Sequence, residues 1–587
     1  MNNQHLIKQN RDTIDNMAPW SQELSIKYCS KTTNLYLVHG NIRDFLPHKI
    51  DAGQFMFVRI QDYIAEVIFG NKDIIIFYNK STGISFCLKE VRKDYINTMS
   101  KLFPNEDPKN FFSRNPFEAF RFLETYFMQK IGHNLRIILI IDYAEAVVPA
   151  AEISKLDEVD RYSFVTFHKW SHDPKFTDED ISIIMLTENL NDVNCRLVAS
   201  PTTVKIEIPL PDEETRTNYL RSIKNKKDKD LDLILDRGVC VEALGKLSSG
   251  LNLFNLKQLI GEAFQDEKPI TIDYLTQKKR KMIEAEAAGL LEFVLTQHNL
   301  DYIAGHEFVK KRFKLAAKAL KTGRIEVMPM GYLIAGPIGT GKTFMVSAFA
   351  NEIGVPMVKL KNLQSRWKDS AESGLEKILT ILKAMSPVAV MIDEADMILA
   401  GGRGKDAPTE NAGLVAQLIN FMGNTEYRGK IIWFLITSRP DLIPIDLKRQ
   451  GRAEEHLALF YPQNTNEKIE LFKTLQKKLR IKGSEVDFAK IVRSIKFSVS
   501  GADIESILVR ARMQASSENR VMITTKDLLA TIADFIPPTY PYEIELQNIV
   551  AALECTSKEM LPDELSKKGR TELLNEMLEL KQLMGEK

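Results

Sequence analysis

A chain of 587 residues with 44% hydrophobic and 27% charged side chains has the composition of a globular protein of several domains, each with material for a real core. Its 79 Lys and Arg offset 78 Asp and Glu, a formal net charge of +1, which excludes the global electrostatic pull toward nucleic acid or anionic lipid that a strongly basic chain feels. Five scattered cysteines form no CxxC pair, the first residues are polar, and no uncharged apolar run approaches 18 residues; a disulfide framework, a signal peptide and a membrane span are not expected, and a cytoplasmic location is.

Residues 1–275 are expected to form one α/β module. Within them, Ile74-Ile75-Ile76-Phe77 reads as a short buried strand, followed by YNKSTGIS at 78–85. Further on, Ile138-Leu139-Ile140-Ile141 ends in Asp142-Tyr143, Ile183–Thr187 is a second apolar run, and Ser249-Gly250 follows. The same landmarks return in the same order in the second half: Tyr332-Leu333-Ile334-Ala335 before GPIGTGKT, then Val388–Glu394, Phe434–Thr437 and Ser500-Gly501. Asp142 is as far from Gly250 as Asp393 is from Gly501. Such order points to a tandem duplication. The first copy reads as chemically dead, because Ile84 stands where a lysine is needed and Tyr143 where a carboxylate is needed. No arginine lies in 197–203, and Glu145 is a poor substitute base.

Residues 276–300, with the charged stretch QKKRKMIEAEA, are expected to be a helical connector. The second copy then opens on Gly336-Pro337-Ile338-Gly339-Thr340-Gly341-Lys342-Thr343, between a strand pattern and a helix pattern. That is the order of a phosphate-binding loop: glycines let several backbone N–H groups turn inward. Lys342 then reaches the β- and γ-phosphates of a nucleotide, and the Thr343 hydroxyl ligates Mg²⁺. Val388-Ala389-Val390-Met391-Ile392 ends in Asp393-Glu394. There Asp393 suits a Mg²⁺ held at a strand end, and Glu394 suits a base for the water that attacks the γ-phosphate. After Pro537, Pro538 and Pro541 a tail follows, in which Leu573, Leu574, Met577, Leu578 and Met584 line one side of an expected helix. The i, i+4 pair His168 and His172 lacks a third ligand and is not read as a metal site.

The stretch TSRPDLIPIDLKRQGR, residues 437–452, resembles the second region of homology of the AAA family of ATPases, approximately ATNRPD…LxRPGR, with Ser438 in place of the sensor asparagine. The resemblance implies that Arg449 and Arg452 are arginine fingers reaching the nucleotide of a neighbouring subunit. It also implies that Ile303 and Ala304, in Asp301–Gly305, contact adenine, and that Gly501 and Ala502 open a sensor helix in a small lid. Residues 363–369 are similar to the family's first pore loop, with Trp367 keeping the aromatic while Lys368 and Asp369 depart from the family pattern. The expected plan is therefore α/β: two tandem P-loop (AAA+) modules, each a parallel sheet flanked by helices plus a small helical lid, with the N-terminal copy degenerate. Its divisions are 1–275, 276–300, 301–460 (large ATPase subdomain), 461–535 (lid) and 536–587 (tail), a plan similar to a bacterial and plastid branch of the family. The implied cofactors are ATP and Mg²⁺, and the implied assembly is a homo-hexamer. The implied partner is a protein client or adaptor gripped by Trp367 and Lys368, with a nucleic-acid motor or a nucleotide-gated scaffold as competing readings.

Overall fold

The computed structural model describes residues 17–585 apart from 52–53, 71–72, 225–234, 237–239, 267, 288, 296–297, 323, 362–370, 400–408, 484–485 and 538–539. The chain divides into two compact units, Met1–Ala285 with Glu372–Ala384, and Glu286–Ala371 with Met385–Lys587. Trp367 and Lys368 lie outside the described residues.

In the first unit the strands are β1 (Leu35–Gly40), a hairpin of β2 (Phe45–Asp51) and β3 (Gln54–Arg59), then β4 (Ile74–Asn79), β5 (Gly83–Phe86), β6 (Ile137–Asp142), β7 (Ile181–Thr187) and β8 (Thr203–Ile208). Its main sheet runs β5-β4-β6-β7-β1-β8, and every pair is parallel except β4 with β5. All residues of β6 and β7 are buried, as a parallel sheet covered on both faces requires, which is why these strands read as unbroken apolar runs. Alternate side chains feed opposite cores. Leu139 and Ile141 join an aromatic layer around Phe120, Phe127 and Trp170, whereas Ile138 and Ile140 join Trp20, Tyr63 and Phe69.

The second unit repeats this sheet. Its strands β9 (Leu291–Phe293), β10 (Gly331–Ala335), β11 (Met357–Leu360), β12 (Val388–Ile392), β13 (Ile431–Thr437) and β14 (Glu455–Ala458) lie in the order β14-β10-β13-β12-β11-β9. All pairs are parallel except β9 with β11. Read from opposite ends, the two orders match strand for strand: β1 corresponds to β10, β4 to β11, β6 to β12, β7 to β13 and β8 to β14. Each sheet is thus five parallel strands with one antiparallel edge strand, a slight departure from a purely parallel plan.

The match corrects two landmarks. The run at 74–77 corresponds to the strand after the phosphate-loop helix, and 78–85 is no loop remnant but the tip of the β4–β5 hairpin, paired at Tyr78 with Ile84 and Asn79 with Gly83 and turning at 80–82. The true counterpart of Gly336 is Gly40. A Cβ on Gly40 (φ +93°) would lie 2.6 Å from Ile208 O, and one on Gly336 (φ +145°) 2.1 Å from Leu459 O, the first at the end of the neighbouring edge strand and the second one residue beyond it. Similarly, the first unit's helix Leu253–Gln265 is capped by Asn252 rather than Ser249, where Ser500 caps Gly501–Ser517 with a reciprocal bond from Asp503.

The boundary between units falls inside the expected connector: helix Ile272–Glu286 buries Leu275 and Ile283 within the first unit, and β9 belongs to the second sheet. The helices Thr465–Lys478, Phe488–Ser494, Gly501–Ser517 and Thr525–Asp534 share a separate core built on Phe472, Ile491, Leu508 and Leu528. Tail helices Pro541–Glu554 and Arg570–Leu583 pack on Ala335, Ala458 and Phe460. Of the expected apolar stripe Leu573 is buried, while Leu574 and Leu578 face outward. Among the described residues, no helix is long and apolar enough to cross a membrane.

Candidate functional site

Parallel strands open their loops at one edge, and β10, β12 and β13 are adjacent there, with Ala335 beside Thr437 and Ile392 beside Leu435. The loop after β10 turns at Gly336, Gly339 and Gly341, all with positive φ, and Lys342 starts the helix Lys342–Ile353. Only glycine takes φ near +145° without strain. Thr340 Oγ1 closes the turn by donating to Pro337 O at 2.9 Å.

Lys342 Nζ donates to Gly336 O (2.8 Å), Pro337 O (3.0 Å) and Ser438 Oγ (3.0 Å). Burial pushes its ammonium down to about 8, opposed by Asp393 and Asp396. The Thr343 hydroxyl faces the Asp393 carboxylate at 3.4 and 3.5 Å. Glu394 follows in the left-handed region (φ +52°), its N–H on Asp393 Oδ1 at 3.2 Å, and its side chain is exposed. Hydroxyl and carboxylate together form a set of hard oxygen donors that suits Mg²⁺, and an ammonium, Lys359 Nζ, already lies 2.9 Å from Asp393 Oδ2.

Gly501 N donates to Gly339 O at 3.1 Å, and a Cβ on Gly339 would lie 3.5 Å from Ala502 Cβ. The lid helix therefore begins against the loop. Ile303, Ala304, Gly339, Gly341, Gly501 and Ala502 border one cavity of about 530 Å³. Arg449 and Arg452 are not brought to this loop: Arg449 pairs with Asp446 Oδ1 (3.4 Å) and is 69% exposed, and Arg452 donates to Asp446 O.

Three family models match the chain. Residues 9–209 match the AAA+ chaperone N-terminal Rossmann-like domain, 214–288 the AAA+ chaperone second helical domain, and 332–461 the ATPase family associated with various cellular activities. The chain belongs to the AAA+ ATPases. Among its relatives are a cell division cycle protein 48 homolog of Archaeoglobus fulgidus (26% identical, covering 54% of this chain and 46% of the relative) and an uncharacterized AAA domain-containing protein ycf46 of Trieres chinensis (25%, 57% and 66%). A proteasome-activating nucleotidase of Thermococcus kodakarensis is 28% identical over 35% of this chain and 51% of its own length. The chain thus spans between about half and two-thirds of these relatives.

This AAA+ chain keeps the outline of the site in its first module with the chemistry replaced. Tyr143 repeats the left-handed backbone of Glu394 (φ +57°), and its N–H rests on Asp142 Oδ1 at 2.9 Å. Asp142, the counterpart of Asp393, is held by Arg43 Nη1 and Gln61 Nε2, both at 2.7 Å, and the Arg43 guanidinium lies 3.9 Å over the Tyr143 ring. Asp44 accepts from the N–H groups of Leu253 and Phe254 at 2.8 and 2.9 Å. Glu145, at the position of Asp396, is buried enough to lift its carboxyl above the usual range.

Three further residues of the second site escaped the motifs. Lys359 holds Asp393, and Asp396 accepts from Thr437 Oγ1 at 2.6 Å. Tyr461 OH donates to Ile338 O at 2.7 Å. The third carboxylate of Asp393-Glu394-Ala395-Asp396 was visible in the sequence; Lys359 and Tyr461 carry no local signal.

Proposed function

We propose that this AAA+ chain hydrolyses Mg-ATP in a pocket shared by neighbouring copies of a ring and uses the energy to remodel protein clients. The observation that carries the reading is the convergence of Lys342, Thr343, Asp393, Glu394 and Ser438 on one sheet edge, while Arg449 and Arg452 engage Asp446 instead. A site with base and cation and, among the described residues, no arginine brought to its phosphate loop is one that a second subunit would complete.

Thr343 and Asp393 would hold Mg²⁺, which draws off charge developing on the transferred phosphoryl group. Lys342 neutralises the phosphates from within the loop, and its carbonyl partners at Gly336 and Pro337 keep it aimed there. Glu394, exposed at the mouth, accepts the proton of the attacking water. Ser438 fixes Lys342 from the β13 side. Trp367 would grip the client, as an aromatic face suits sequence-tolerant contact, and a relative named as a proteasome-activating nucleotidase supports a protein client.

Glu394→Gln tests the assignment. The variant is expected to bind ATP with the parent's affinity and to lose turnover by at least about a hundredfold, the usual size of a general-base contribution. Turnover at the parent rate would remove Glu394, and the site with it.

A further inference from the structure

The residue that the site reading leaves unexplained is Gln547, on the tail helix Pro541–Glu554. It is 2% exposed, and a primary amide so deeply buried needs a partner. Its Oε1 accepts from the backbone N–H of Ile338, in the phosphate loop, at 3.0 Å. The other end of the same residue is also pinned, because Ile338 O accepts from Tyr461 OH. The Ile338 side chain is 62% exposed, so this residue is held through its backbone alone. A phosphate loop binds with the amides turned into its hollow. The amide of Ile338 is turned outward onto Gln547, which fixes the turn from which the amides of 339–343 project.

Another part of the tail reaches the same site, and a third holds the arginine-bearing segment outside it. Glu559, Met560, Leu561 and Pro562 border the cavity that also touches Ile303 and Gly341, and Met560 packs on the core that holds Phe344. Glu554 accepts from Lys448 at 2.7 Å, next to Arg449, and Lys581 meets Asp441 Oδ2 at 2.8 Å.

We propose that the C-terminal tail is a working part of the nucleotide site: Gln547 is a positioning residue for the phosphate loop, and residues 559–562 wall the base end of the pocket. This deepens the reading of an ATP site in the second module and rests on it. Gln547 acts only on the phosphate end, so its loss separates ATP from adenosine; a wall at the base end affects both.

The test is calorimetric titration of the full chain with Mg-ATP and with adenosine. Gln547→Met keeps the volume and removes the acceptor, leaving the Ile338 amide without its partner. ATP affinity is expected to fall roughly tenfold with adenosine affinity within twofold of the parent and faster hydrogen exchange at the Ile338 amide. Met560→Ala is expected to weaken ATP and adenosine alike. Equal ATP affinity in Gln547→Met, or equal adenosine affinity in Met560→Ala, overturns the corresponding half of the proposal, and an equal loss of both ligands in Gln547→Met reduces Gln547 to a packing residue. A parent chain that binds no ATP would instead overturn the site itself.

Discussion

Gly336 and Gly40 close equivalent turns in the two modules, and only one of those turns is expected to matter for nucleotide. In Gly336→Ala the new Cβ would stand 2.1 Å from Leu459 O, in a backbone region (φ +145°) that alanine rarely adopts. Contact distance for such a pair is above 3 Å, so the turn must open by about 1 Å or strain must be stored at φ. Sparsely populated backbone conformations alone cost about 1–3 kcal/mol, and the displaced carbonyl adds to that. A penalty on the order of 3 kcal/mol, relieved by moving the loop, corresponds to roughly a hundredfold in affinity. Gly40→Ala meets Ile208 O at 2.6 Å at φ +93° and strains the first module by a similar mechanism. It is expected to lower the melting temperature of the full chain without altering ATP affinity. Fluorescent-nucleotide titration beside calorimetric melting, with Lys342→Ala as the blank, reads both. If Gly336→Ala bound nucleotide within twofold of the parent, the steric reasoning would fail.

Trp367→Ala is expected to keep basal ATP turnover and to lose client-dependent work, read as unfolding of a tagged substrate; undiminished client processing would discard the pore-loop reading. In the lid, Asp527 is held well below the usual carboxylate range, at about 2, chiefly by hydrogen bonds from Arg520. Its contribution to stability is therefore complete above the ordinary carboxylate pKa near 4 and disappears as pH falls through about 2. Asp527→Asn is expected to cost about 1 kcal/mol at pH 7 through its capping bonds to Thr524, and to flatten that acid dependence in hydrogen-exchange protection of Thr525–Asp534. An acid limb unchanged in the variant would assign it to other groups.

What was legible in the sequence was whatever a short run of residues encodes by itself. The loop 336–343, the strand ending in Asp393 and the paired strands β6 with β12 and β7 with β13 announce themselves through glycine spacing and doubly buried apolar runs. The counterpart of the phosphate loop in the first module was misplaced because Ile74–Phe77 looks like any buried strand. Strand order, a long-range property, assigns that role to β1. Gly40 carries no glycine pattern around it, and the hairpin β2–β3 stands between it and the helical segment 60–68, so nothing local marks the equivalence. Lys359 and Gln547 act across 34 and 209 residues, and a lone lysine in a strand or glutamine in a helix looks ordinary. The outward Leu574 and Leu578 show the limit of periodicity, which marks a stripe without saying how wide the partner face is.

ATP turnover per protomer as a function of protein concentration tests most directly the proposal that one copy of the chain leaves the catalytic pocket incomplete. The expected curve is near zero at dilutions where light scattering gives single chains and rises steeply as copies associate, with Arg449→Ala flat throughout. Full turnover by dilute single chains would contradict it.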